Sequence, residues 1–166
     1  MWSEQDRAWM AAALTEAEEA ARLGEVPVGA VVVRADEVIA TAHNLRETLQ
    51  DPTAHAEVLA LRAAAQAIGS WRLEACTLYC TLEPCLMCAG ALWLARVDRL
   101  VYGATDGKAG AAGTLYNVLC DPRLNHQVAT EVGLMEEEAR AVLRRFFREL
   151  RRKDGRAAGS EGCPSG

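Results

Sequence analysis

Near the start of the chain the apolar residues fall on one helical stripe. Trp9, Ala13, Ala17 and Ala20 recur at helical spacing behind Ser3, a good N-cap with Asp6 following, so a helix is expected over 4–23, closed by Gly24. The period then changes to that of strands. Val26 to Val33 and Val38 to Ala42, parted by Arg34-Ala35-Asp36-Glu37, predict a hairpin. A polar loop ends in Asp51-Pro52-Thr53, and Thr53 is the expected cap of a helix over 54–68. Cys76, Leu78, Cys80 and Leu82 alternate with Thr77, Tyr79 and Thr81 in a strand that Glu83-Pro84 breaks. An apolar helix over 85–96, a strand over 97–104, a short helix over 114–119 and a strand over 127–132 follow. The last helix is expected over 135–152, with Leu143, Phe146, Phe147 and Leu150 as its inward stripe. Strands alternating with helices predict an α/β fold, a three-layer α/β/α sandwich.

Length and composition fit this pattern. The 166 residues are 51% apolar, which suits one domain with an ordinary core, expected over 1–153. The Gly- and Ser-rich remainder, 154–166, is expected to be a disordered tail. The glycine-rich segment 107–113 lacks the Lys-Ser/Thr ending of a phosphate-binding loop and is expected to be a surface or substrate loop. No apolar run is long enough for a membrane span, and Met-Trp-Ser-Glu-Gln-Asp has no secretory h-region. A cytoplasmic setting is expected, with the six cysteines as thiols or metal ligands. Of these, Cys76, Cys80 and Cys120 are expected to be buried apolar thiols, while Cys163 has no assigned role.

Charge is uneven. The chain carries a net −5, yet Arg140, Arg144, Arg145, Arg148, Arg151, Arg152, Lys153 and Arg156 face only Glu149 and Asp154 over 140–156. A basic helix on an acidic body can bind a polyanion, or it can be a solvated face.

Candidate chemistry gathers in two short motifs, Thr-Ala-His55-Ala-Glu57 and Glu-Pro-Cys85-Leu-Met-Cys88. Cys85 and Cys88 are three apart and share a helix face, with Pro84 suited to the helix entry. The positive end of a helix favours thiolate over thiol. His55 and Glu57 can both reach a site beyond the start of their helix, so two helix N-termini are expected to meet at one metal. Three ligands leave a fourth position open, as in catalytic zinc, with Glu57 free for acid–base work on a water. A closed structural zinc knot would need a fourth ligand such as Cys80. A redox Cys-x-x-Cys would leave His55 and Glu57 unexplained.

His-x-Glu followed by Pro-Cys-x-x-Cys is the signature of zinc-dependent nucleobase deaminases. Further segments narrow the resemblance: Glu25-Val-Pro-Val-Gly-Ala-Val31, Asp51-Pro-Thr-Ala-His-Ala-Glu57, Thr81-Leu-Glu-Pro-Cys85, Met87-Cys-Ala-Gly-Ala91, Gly110-Ala-Ala-Gly113, Asn125-His126, and Phe146-Phe147 in the basic helix. Over about 4–152 the chain resembles the bacterial tRNA-specific adenosine deaminases of the cytidine/deoxycytidylate deaminase superfamily. The resemblance implies a cytidine deaminase-like fold with a mixed central sheet. It implies a homodimer that hydrolyses the wobble adenosine of the tRNA-Arg anticodon stem-loop to inosine, with water attacking adenine C6 and ammonia leaving. By the same likeness His55, Cys85 and Cys88 would hold one Zn²⁺ per subunit and Glu57 would shuttle protons. Asn44, Val28, Asp106 and Asn125 would contact substrate. An exposed anticodon loop suits an enzyme that must reach a base edge. Phosphate contacts are expected from Arg148, Arg151 and Arg152. Two other readings stay open: a deaminase of a free base or nucleoside such as guanine or cytosine, and a non-catalytic zinc-containing RNA-binding protein.

Overall fold

A computed structural model describes residues 1–159, with side chains through Gly155. Helix α1 (Glu4–Arg22) starts with the expected cap. The Ser3 hydroxyl accepts from Asp6 N at 3.0 Å while the Asp6 carboxylate accepts from Ser3 N at 3.0 Å, a reciprocal capping box. Strands β1 (Gly29–Arg34) and β2 (Glu37–His43) form the hairpin. Its two-residue turn places Ala35 and Asp36 at φ 49° and 61°, the left-handed pair that matches strand twist. The expected strand began at Val26, but 26–28 is irregular.

A short helix α2 (Arg46–Leu49) precedes α3 (Ala56–Ile68). The cap of α3 is His55, not Thr53. Asp51 Oδ1 instead draws in Thr53 N at 2.8 Å and Thr53 Oγ1 at 2.7 Å, closing a local turn before the helix. Strand β3 (Cys76–Leu82) has the expected bounds, and α4 (Leu86–Leu94), β4 (Arg99–Ala104), a 3₁₀ turn (Val118–Cys120) and β5 (Ala129–Val132) follow. The last helix, α5 (Glu136–Gly159), runs on past Lys153, where a tail was expected; 160–166 lie outside the described residues.

The sheet is mixed, in the order β2-β1-β3-β4-β5. β1 is antiparallel to both neighbours, and β3, β4 and β5 are parallel. Alternation along the strands divides the core in two. Ala30, Val32, Leu78, Cys80, Leu100 and Tyr102 face the layer holding α3 and α4. Val31, Val33, Tyr79 and Val101 face Met10 and Ala13 of α1 and Leu134 beside α5. At Gly29 a Cβ would stand 1.9 Å from the Ala13 carbonyl oxygen, so α1 lies directly on the strand backbone. A polar brace secures this layer. Asp6 accepts from the Tyr79 hydroxyl at 2.7 Å and from Arg99 Nη1 at 3.0 Å, and Arg99 Nε reaches Glu131 at 2.7 Å.

Two burial expectations do not hold. Phe147 and Leu150 are exposed, because α5 seats itself through Ala139 and Val142. Cys120 is exposed at the end of the 3₁₀ turn, unlike buried Cys76 and Cys80. No helix of the described residues is long and apolar enough to cross a membrane.

Candidate active site

The order β1-β3-β4 places β3 centrally, and its carboxyl end delivers Pro84 and Cys85 to a crevice beside the parallel strands. Two helices begin there. His55 is the N-cap of α3 and Cys85 the N-cap of α4; both have extended backbones and neither side chain makes a capping hydrogen bond. Both side chains are therefore free to turn toward each other. Cys88 joins them from the first turn of α4. His55 Nδ1 stands 3.6 Å from Cys85 Sγ and 3.5 Å from Cys88 Sγ. The three ligand atoms all lie within 4.8 Å of one another.

This donor set fits a tetrahedral zinc ion. Zn–N and Zn–S bonds at tetrahedral angles separate nitrogen from sulfur by about 3.6 Å. Cys80, the conceivable fourth ligand, is fully buried, bonds the Leu82 carbonyl at 3.2 Å, and is not part of the cluster. The triad is thus open on one side. Electrostatics within it favour a cation. The Cys85 thiol is pulled down to about 4, first by its hydrogen bond with Cys88 and, against burial, by His55. Cys88 is pushed up by the same bond and by burial. A divalent ion binds such thiols as thiolates and releases their protons.

Glu57, at the second position of α3, is 4% exposed. Burial raises its carboxyl to about 7; only its own backbone N–H and the Cys88 thiol offer hydrogen-bond help.

A cleft of about 220 Å³ opens over these groups, lined by Val26, Val28, Asn44, Arg46, His55, Glu57, Leu82, Glu83, Cys85, Asp106 and Ala109. That is smaller than the roughly 300–1,000 Å³ of drug-sized sites and suits a single planar ring system. The structure therefore brings Val28, Asn44 and Asp106 to the metal ligands. Asn44 is held at both ends, its amide donating to Val26 O at 3.2 Å and accepting from Arg46 N at 3.1 Å. Asp106 Oδ1 accepts from Lys108 N at 2.9 Å and Ala109 N at 3.3 Å, and its side chain lines the cleft. Asn125 is exposed and lies outside the cleft lining.

A second, shallower cleft of about 550 Å³ lies along α5, lined by Lys108, Leu143, Arg144, Phe147, Arg148 and Arg151. Arg152 is exposed on the same helix but is not in that lining. The segment 106–109 serves both clefts, with Asp106 and Ala109 on one and Lys108 on the other.

Three site residues escaped the sequence reading. Arg46 lines the cleft from α2. Glu25, 1% exposed, accepts from Glu47 N at 3.2 Å and Thr48 N at 2.6 Å and so fastens α2. Burial opposes the charge on Glu25, but those bonds and Arg46 outweigh it and lower its pKa. Glu83 accepts four hydrogen bonds from the loop after β4. A glutamate closing an apolar strand beside the ligand motif was the available signal for Glu83.

Comparison with known proteins agrees with this geometry. Residues 4–151 match the model of the MafB19-like deaminase family. The tRNA-specific adenosine deaminase of Bacillus subtilis (strain 168) is 54% identical over 149 residues, covering 90% of this chain and 92% of the relative. A solved structure from studies of A-to-I editing by tRNA:A34 deaminases at the wobble position of transfer RNA superimposes with a TM-score of 0.79. It is 43% identical and covers 82% of this chain and 99% of its own. A guanine deaminase from Nitrosomonas europaea has a TM-score of 0.75 at 25% identity, covering 88% of this chain and 85% of its own.

Proposed function

This chain belongs to the MafB19-like deaminases and, among them, to the tRNA-specific adenosine deaminases; from that membership we propose how its residues convert wobble adenosine to inosine. The observation that carries the reading is an open His55–Cys85–Cys88 triad, of which His55 and Cys85 line one cleft together with a buried carboxylate, Glu57. Zn²⁺ held by the triad would lower the pKa of a water from 15.7 to roughly 7. Glu57 takes a proton from the attacking water and passes it to adenine N1 as oxygen bonds to C6. It then moves the hydroxyl proton at C6 to the departing amine. The C6–N bond breaks, ammonia leaves and the base becomes hypoxanthine. Val28 walls the base, while Asn44 and Asp106 hold the nucleoside. Asn125 meets the anticodon loop farther out.

The cleft on α5 gives the substrate a second purchase. Arg148 and Arg151, with Arg152 beside them, bind phosphates of a tRNA-Arg anticodon stem-loop while Phe147 offers an exposed ring to a base. Replacing the three arginines by alanine should weaken stem-loop binding and flatten its salt slope; an unchanged slope would return them to a solvated face. A second copy of the chain covers the apolar surface of α3 and α4, where Trp71 and Leu94 are 62% and 58% exposed. Sedimentation of the purified protein as a monomer would remove that part of the proposal.

The deciding experiment incubates metal-loaded protein with an anticodon stem-loop, free adenosine, guanine and cytosine. Inosine in the stem-loop is expected. Turnover of a free base alone would favour the guanine deaminase-like alternative, which the similar fold allows.

A further inference from the structure

Glu83 stands two residues before Cys85, is 2% exposed, and lines the same cleft as Glu57. Its carboxylate is fully engaged. Oε2 accepts from Asp106 N at 2.9 Å and Thr114 Oγ1 at 2.5 Å; Oε1 accepts from Ala112 N at 3.1 Å and Thr114 N at 3.0 Å. Four bonds occupy the four lone-pair sites of a carboxylate. The backbone on either side is tied to the same region: Glu83 N donates to Ala104 O at 2.8 Å, and Ala111 N donates to Pro84 O at 2.8 Å. Residues 105–114 therefore wrap around this one side chain. Gly110 is the point of closest approach, where a Cβ would stand 2.4 Å from the Glu83 carboxyl.

We infer that Glu83 is a positioning residue: by clamping the 105–114 loop it sets where Asp106 and Ala109 stand against the bound base, an inference that rests on the cleft being the nucleoside site. The loop makes few other attachments to the ligand-bearing strand, and its outer side carries Lys108 into the second cleft. A shift of the clamp would move the base-contacting and the phosphate-contacting surfaces together. Glu25 holds α2, which carries the cleft residue Arg46, by the same means, accepting from the Glu47 and Thr48 amides.

Glu83→Gln tests this with little change of shape. One acceptor oxygen becomes a donor: an amide nitrogen at the Oε1 place loses the bonds from Ala112 N and Thr114 N, and one at the Oε2 place loses the bond from Asp106 N while the Thr114 hydroxyl can turn to accept. Gly110→Ala attacks the same contact from the loop side. In folded, metal-loaded protein, Glu83→Gln should accelerate amide exchange at Asp106, or at Ala112 and Thr114, according to which way the amide sits, and lower kcat/KM on the stem-loop roughly 10–100-fold, with metal content unchanged. The double variant should be no worse than the worse single one, since both break one clamp. Should Glu83→Gln fail to fold, Thr114→Val removes only the hydroxyl donor and should show a smaller loss of the same kind. Unchanged exchange, full additivity, or an unchanged kcat/KM per folded molecule with only a lower melting temperature would overturn the inference. The exchange measurement needs no substrate. A wild-type protein inactive on the stem-loop would therefore sink the proposed function and leave the clamp to be decided by exchange alone.

Discussion

Glu57 and Glu83 are both buried glutamates lining one cleft, and they are bonded in opposite ways. Glu83 is bonded by four donors from a single loop, so it can neither accept a new proton donor nor move without dragging the loop. Glu57 has no loop bonded to it; its only hydrogen-bond help comes from its own backbone N–H and the Cys88 thiol, and burial raises its pKa to about 7. Burial alone therefore does not mark a catalytic carboxylate. What separates the two is saturation. A buried acceptor normally finds its donors, and one left open beside a triad of ligands is held for a ligand or a reaction.

The largest effect expected from this contrast is on chemistry. Glu57→Gln should retain fold and metal while inosine formation falls by about 10²–10⁴-fold, measured in single turnover on a stem-loop. Editing at the wild-type rate would show that Glu57 is no proton shuttle.

The same pair of substitutions should reverse rank when stability is measured. Glu83→Gln leaves buried donors facing an amide and should cost about 2–4 kcal/mol in denaturant unfolding, whereas Glu57→Gln relieves a buried acid and should cost little. Equal losses would erase the distinction.

A smaller test comes from Asp6, a saturated carboxylate far from the cleft. Burial would raise its pKa, but hydrogen bonds from Tyr79, Ser3 and Arg99 outweigh burial and hold it well below the ordinary carboxylate range. A pKa depressed in the folded state contributes stability that is complete above the unfolded value, about 3.9, and is lost as pH falls through the folded one. Asp6→Asn should cost about 1–2 kcal/mol at pH 7, and its gap from wild type should narrow below about pH 4. A gap that stays constant down to low pH would mean that the charge on Asp6 contributes nothing.

Much of this was legible along the chain because it depends on short-range periodicity or adjacency. Ser3 and Asp6 lie within one helical turn, so their capping box follows from local spacing. Strand β3 was readable from alternation that one strand carries by itself. The cap of α3 was less legible. Thr53 is as good a cap by type as any residue near α3, yet the Asp51 side chain takes its amide and hydroxyl, and the helix starts at His55. The stripe of α5 shows a general limit. Leu143, Phe146, Phe147 and Leu150 share spacing, but only the neighbours decide which of them are covered, and Phe147 and Leu150 are left in solvent.

By itself, the sequence determined the chemistry of the site: one imidazole, two thiols and a spare carboxylate, each placed at a helix start by Pro84 or by the turn ahead of α3. Those are properties of residue type and short spacing, which no packing can alter. The tertiary structure decided how the cleft is bounded. Glu83 meets Asp106 and Thr114 only because β3 and β4 pair in parallel and release their loops at the same edge. Glu25 meets Thr48 only after the hairpin has folded back. Hydrogen bonds between residues more than 20 positions apart leave no periodic trace in a chain, so the difference between a saturated carboxylate and an open one appears only once the sheet has formed.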